Sequence, residues 1–349
     1  MAIGGRIMFD NFFGSFVVLY FLTFVLAIFI SIIILFITIA IHELGHLACG
    51  LLSGYKFSSF RVGSLIWYKE DGRIKFEISE SFVGGQCLME PQDNFHDFKF
   101  VLYNLGGGLF NIFIGVVALI ASFYATGTLS AILYAFFIIS FLIAVISLWP
   151  MKGGIPNDGY NIKTALKSEE AKYGFYLMLF MNKEMMNGKR MRDFDPEMFK
   201  IKEDADLGNY LTAYIVMMEA GRLSDLSENE AAIEQYSRIN ADKLPFYYKY
   251  YIKLEHLYYH IVFNPDFKKA KEFFEDKKLK KFLKYPLPAN KMVEAAYEYF
   301  VNNDKEKGRK LLEQAKVEIK KYPNIGYRLM VNDSLQQLED KMGLTEEVF

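Results

Sequence analysis

Two stretches of this chain carry no charged side chain: no Asp, Glu, Lys or Arg occurs between Asp10 and Glu43, or between Lys99 and Lys152. Apolar runs of this length read as membrane-spanning helix, which needs only about 20 residues. The run from Asn11 to Ile41 is longer than a signal-peptide core and has no small-residue cleavage site, so it is expected to be retained. As one helix from about Phe13 to Gly54 it would extend roughly 60 Å, against a hydrocarbon core of about 30 Å. It must tilt, break or emerge, and with no polar loop dividing it, one long or kinked helix is expected rather than two spans. Beyond Lys152 the sequence is dense in charges of both signs, so a water-soluble half follows the membrane half. A length of 349 residues suffices for two domains, and a formal net charge of -1 points to no nucleic-acid partner. Cys49 and Cys87 are too few for a disulfide framework.

Between the charge-free stretches, residues 56–92 are polar with strand character. "SLIWYKEDGRIKFEIS" alternates and holds Asp71-Gly72 at its middle, a hairpin-turn signal, and "GGQCLM" supplies a third extended piece. Spans at about 100–124 and 129–149 follow, joined by "ATGT", a link that allows only an antiparallel helical hairpin. Both ends of that hairpin face one side, with Lys56, Arg61, Lys69, Arg73, Lys75, Lys99 and the charged C-terminal half. The positive-inside rule makes this side cytoplasmic, in a multi-pass protein of the cell membrane.

From about Asp158 onward the sequence is helical by period, with breaks near 193–196, 244–245, 286–288 and at Pro323. "AAYEYFVNNDKEKGRKLLEQA" partly resembles a tetratricopeptide repeat, with Ala296, Tyr299, Gly308, Leu312 and Ala315 at its packing positions. The expected fold is an α-helical polytopic membrane protein. A three-helix core with a small β-hairpin insert fills residues 1–166, and a soluble, tetratricopeptide-like helical domain fills 167–349.

The chemistry concentrates in "HELGH". His42 and His46 lie at i and i+4, one turn apart on one helical face, where both rings can bind one Zn²⁺. Glu43, on the flank of that face, can take a proton from a zinc-activated water and pass it to a leaving amine. The plain alternative is a polar core cluster. Three polar groups in a charge-free helix need a compensating partner, however, and intramembrane ionisable residues mark function.

A catalytic zinc takes a third protein ligand and keeps one position open. Cys49 shares the face of His42, but roughly 10 Å of helical rise separates them, so it reads as a packing residue. Asp158, in "PMKGGIPNDGYN", is the better candidate. It follows the last span in a Gly- and Pro-rich stretch of the kind tolerated at membrane depth where it lines a cavity. The helix after His46 also ends on the same side as the last span. Taken alone, Asp158 would read as a turn or N-cap aspartate.

"HELGH" in a membrane helix, "GGGLFN" at the start of a later one and "NDG" after the last span together resemble the site-2 protease family of intramembrane zinc metalloproteases. The resemblance covers roughly 13–166 and implies His42, His46 and Asp158 as zinc ligands and Glu43 as catalytic acid/base. The family's Gly-Pro-x-x-Asn appears here as Gly107-Gly108-x-x-Asn111, and by resemblance Asn111 positions substrate or stabilises the oxyanion, a role suited to a side-chain amide. By itself Asn111 reads as an interhelical hydrogen-bonding residue. The family's Asn-x-x-Pro and Pro-x-x-Leu-Asp-Gly appear as Ser147-x-x-Pro150 and Ile155-Pro156-Asn157-Asp158-Gly159. The aspartate and its glycine survive while the leading Asn and the Leu do not. "GGQCLM", with Gly84 and Gly85, resembles a family element near the site, and a strand edge there can hold extended substrate by main-chain hydrogen bonds. Read plainly, it is a strand start with a Gly pair.

His256 and His260 repeat the i, i+4 spacing without a following glutamate, on a soluble amphipathic helix, and read as surface or packing residues. His96 reads as interfacial. The expected activity is hydrolysis of a peptide bond in or beside the transmembrane segment of a membrane-anchored protein or peptide, with the C-terminal helices open to a regulatory protein. The competing class is an inactive membrane scaffold presenting those helices, which would have no reason to keep Glu43. A transporter is poorly served by three or four spans with no internal repeat.

Overall fold

A computed structural model describes residues 2–70, 72–285 and 287–344, with side chains for 16–69, 72–79, 84–285 and 287–344. Its first helix, α1, runs unbroken over Ala2–Leu52, so the long apolar run is one helix, as its lack of a polar divider predicts. Gly54, at φ +86°, ends it, and the Tyr55 N–H turns back to the Gly50 carbonyl at 3.0 Å. Residues 16–29 expose apolar side chains along their length, whereas packing against the rest of the molecule begins near Ile34 and Thr38. Two further apolar helices, α2 (Phe100–Tyr124) and α3 (Gly127–Leu148), form the expected antiparallel hairpin. With Phe16–Leu52, these make three helices among the described residues that are long and apolar enough to cross a membrane.

The inward faces of this core are built from small and amide residues. α2 buries Asn104, Gly106, Gly107, Gly108, Asn111, Gly115 and Ala118, and α3 buries Ser140, Ala144 and Ser147. Helices surrounded by lipid gain little from apolar contact with each other, so small residues that let backbones approach decide where they touch.

Between α1 and α2 lies one antiparallel hairpin, β1 (Lys56–Glu70) and β2 (Arg73–Glu90). Gly72 holds φ +75° in the expected two-residue turn, while its neighbour Asp71 lies outside the described residues. "GGQCLM" is extended as expected and runs on from Arg73 as the second half of one long strand. Register shifts at Phe57/Ser59, Val62/Gly63 and Gly63/Leu65 mark bulges that let the hairpin bend, and Gly63 takes φ +62° at two of them.

The remainder is helical, beginning with α4 (Asp158–Ala165), α5 (Glu169–Met186) and α6 (Tyr210–Asp225). Next come α7 (Asn229–Ser237), α8 (Phe246–Val262), α9 (Phe267–Glu275) and α10 (Lys277–Leu283), then α11 (Pro288–Ala296), α12 (Lys305–Lys320) and α13 (Ile325–Lys341). The predicted breaks fall between elements, although Pro286 is outside the described residues. The five expected packing residues of the repeat-like stretch are buried between α11 and α12, with Gly308 against Tyr299. One aromatic cluster crosses from the membrane half into the charged half: Phe98 meets Phe175 and Tyr176 of α5 at ring distances of 5.8 and 5.5 Å, and Tyr55 stacks on Phe98.

Candidate metal centre

His42 and His46 project from α1 where it crosses α2. Gly45 and Gly106 make that crossing possible, since a Cβ on either would overlap the carbonyl oxygen of the other. The close approach brings the Tyr103 carbonyl 2.8 Å from His46 Nδ1. A carbonyl only accepts, so Nδ1 carries the proton and Nε2 is turned to the other side. Gly107 lies over both rings: a Cβ there would sit 2.5 Å from His42 Nε2 and 2.6 Å from His46 Nε2. Asn111, one turn further along α2 and fully buried, places its Nδ2 3.4 Å from His42 Nδ1, and its Oδ1 has no hydrogen-bond partner among the described residues.

Each residue of "NDG" has a separate task. Asn157 fastens the end of α3 to the start of α4: its Nδ2 donates to the Ile146 and Trp149 carbonyls at 2.6 Å, and its Oδ1 accepts from the Met151 and Tyr160 N–H groups. Gly159 lets α4 abut α3, because a Cβ there would overlap the Leu148 carbonyl. Asp158 is thereby delivered to the histidines, and Ser147 donates to its Oδ2 at 2.5 Å.

Asp158 Oδ2 lies 3.3 Å from His42 Nε2 and 3.4 Å from His46 Nε2, and the two Nε2 atoms are 3.1 Å apart. Ligands about 2.0–2.1 Å from a tetrahedral zinc are separated by about 3.3 Å, so the three atoms already span one face of such a polyhedron. Three electron-rich atoms this close repel one another unless a cation lies among them. The donor set therefore fits a metal ion, and His42, His46 and Asp158 form a group that could hold one.

Glu43 is buried beside this group and faces β2. The Cys87 backbone N–H donates to its carboxylate. A Cβ on Gly85 would overlap Glu43 Oε1 and sit 2.8 Å from Ile39 Cγ2, so glycine is what lets the strand reach the helix here. The Tyr103 hydroxyl donates to the Cys87 carbonyl at 2.6 Å, which ties strand, α2 and metal group together. Burial and the neighbouring Glu43 push the Cys87 thiol up to about 12, so it is no nucleophile at neutral pH.

Of the residues singled out in the sequence, His42, Glu43, His46, Gly85, Gly107, Asn111 and Asp158 are brought together. Gly84 faces open space, and Gly108 packs against the Leu148 side chain. Cys49 is a buried contact beneath Gly106. His256 and His260 flank the Phe273 ring at 6.3 and 6.2 Å, as packing residues. Sequence reasoning missed the parts played by Tyr103, Ser147, Asn157 and the Gly45–Gly106 crossing. Ser147 was visible as a departure from the family pattern. The Tyr103 and Cys87 contacts are made by main-chain atoms and a distant hydroxyl, which leave no mark on residue type.

No curated protein and no solved structure matches the chain. The model of peptidase family M50 matches residues 30–302, a stretch that contains the whole metal group and continues beyond the membrane helices through α11. On that match over well more than half its length, the chain belongs to peptidase family M50, the site-2 protease family of membrane metallopeptidases.

Proposed function

We propose that this chain is a multi-pass intramembrane zinc endopeptidase that cleaves a membrane-anchored protein or peptide in or next to its transmembrane segment, with the C-terminal helices on the cytoplasmic side. The observation that carries the proposal is the convergence of His42, His46 and Asp158 beside a buried Glu43, with no charged residue of α1 between Asp10 and Glu43. Zinc held by these three residues would acidify a water and polarise the scissile carbonyl. Glu43 takes the proton of the attacking water and hands it to the leaving amine, with the Cys87 N–H fixing the carboxylate's direction. Gly107 leaves space over the rings, and the Gly84–Gly85 edge of β2 offers main-chain groups to a substrate segment. A transmembrane helix must unwind before its peptide bonds are accessible, and a strand edge stabilises the unwound form. The repeat-like helices α11 and α12 suit a regulatory protein or substrate selection.

The test compares membrane-protein fragments in cells carrying wild type or tagged Glu43→Gln. A truncated membrane protein seen only with wild type, whose full-length form co-purifies with the variant, supports the proposal. Matching fragment patterns, with zinc still bound by the purified protein, would instead make the chain a scaffold.

A further inference from the structure

The two histidines solve the same problem in different ways. An imidazole that ligates a metal through Nε2 is neutral and carries its proton on Nδ1, and a buried proton of this kind needs an acceptor. For His46 the acceptor is the Tyr103 carbonyl. For His42, the group at Nδ1 is the amide of Asn111, 3.4 Å away. With Nδ2 facing the ring, the amide would donate to Nδ1 and force the imidazole proton onto Nε2, into the space shared with His46 and Asp158. It would also leave Oδ1 buried and unpaired among the described residues, at the cost of the hydration that a buried acceptor loses. A half-turn of the amide exchanges its oxygen and nitrogen and removes both difficulties, because Oδ1 then accepts the His42 Nδ1–H.

We propose that Asn111 is a positioning residue for His42, its side-chain oxygen accepting the Nδ1–H and thereby holding Nε2 toward His46 and Asp158. The inference rests on the metal-centre reading above. It assigns Asn111 a place behind the His42 ring, on the side away from Nε2, where an amide does not reach an oxyanion forming in front of it. The two readings of Asn111 differ in what they require of the side chain. Positioning His42 needs an acceptor, whereas stabilising an oxyanion needs a donor.

The experiment uses full-length protein in detergent as wild type, Asn111→Leu, Asn111→Asp and His42→Ala. Zinc affinity is read by competition with a chromogenic chelator, and ligand geometry by the visible absorption of the Co²⁺-loaded protein. Asn111→Leu, which removes the acceptor, is expected to weaken zinc binding about 10–100-fold. Asn111→Asp, which keeps an acceptor of the same shape but cannot donate when ionised, is expected to bind zinc within a few-fold of wild type, with an unchanged cobalt spectrum. Wild-type affinity in Asn111→Leu, or a loss of tenfold or more in Asn111→Asp, overturns the assignment. If Asn111→Leu does not fold, Asn111→Asp alone decides by the same criterion. Wild-type protein that binds no more zinc than His42→Ala would defeat the metal-centre reading itself, a result distinct from either outcome for Asn111.

Discussion

At the scale of single residues, the absence of a side chain at Gly107 matters as much as the presence of two imidazoles beneath it. Gly107→Ala improves helix propensity by about 1 kcal/mol, yet its methyl group would occupy the space between both Nε2 atoms. The expected outcome is a protein in which both rings shift to admit the methyl group, so that overpacking offsets the gain in propensity and zinc affinity falls by more than the roughly 10–100-fold typical of an outer-shell defect. Chelator competition beside a thermal melt separates the two effects. A second residue-scale prediction concerns Glu255 on α8, which borders a small cavity with Tyr236 and Tyr258. Burial pushes its carboxyl up to about 7, only partly opposed by a hydrogen bond from Tyr251. The folded state therefore favours the neutral acid. Stability from this group is fully present below its ordinary value near 4.5 and is lost as pH rises through about 7. The melting temperature should fall by a few degrees between pH 5 and 8, and Glu255→Gln should remove that part of the fall.

At the scale of elements, the junction between α3 and α4 determines whether the third ligand arrives. Gly159→Ala forces a Cβ into the Leu148 carbonyl, and overpacking of this kind costs about 1–3 kcal/mol. Denaturant unfolding should register that loss, together with reduced metal binding as Asp158 moves off the histidines. How much of this was legible in the sequence follows from the range of each interaction. The i, i+4 spacing of His42 and His46 is local and could be read directly. Asp158 could be reached because the short "ATGT" link makes the two spans an antiparallel hairpin and so fixes which membrane face its ends share. The unbroken α1 followed from its lack of a polar divider. By contrast, Tyr103 serves His46 through its carbonyl, which any residue supplies, and Ser147 serves Asp158 across a bend whose shape depends on Asn157 and Gly159 together. The continuity of β2 through "GGQCLM" depends on bulges, and bulges reflect pairing with β1 more than the composition of either strand.

At the scale of the whole molecule, the C-terminal helices are joined to the site. Tyr210 of α6 donates to Asn161 of α4 at 2.5 Å, Asn161 reaches Asn104 of α2 at 3.4 Å, and Phe175 and Tyr176 of α5 pack on Phe98 at the foot of α2. The metal group makes a longer connection, since its ligands come from α1 and α4, more than a hundred residues apart in sequence. An ion bound there closes that loop and binds only the folded chain. At 100 times its dissociation constant it adds about 2.7 kcal/mol of stability. Stripping metal with a chelator should lower the melting temperature by a few degrees, readdition of zinc should restore it, and Asp158→Ala should melt at one temperature with or without chelator. On the proposed function, His42, His46 and Asp158 would act as a thermodynamic gauge: through them the chain's resistance to unfolding, and with it its lifetime among cellular proteases, would follow the supply of the ion.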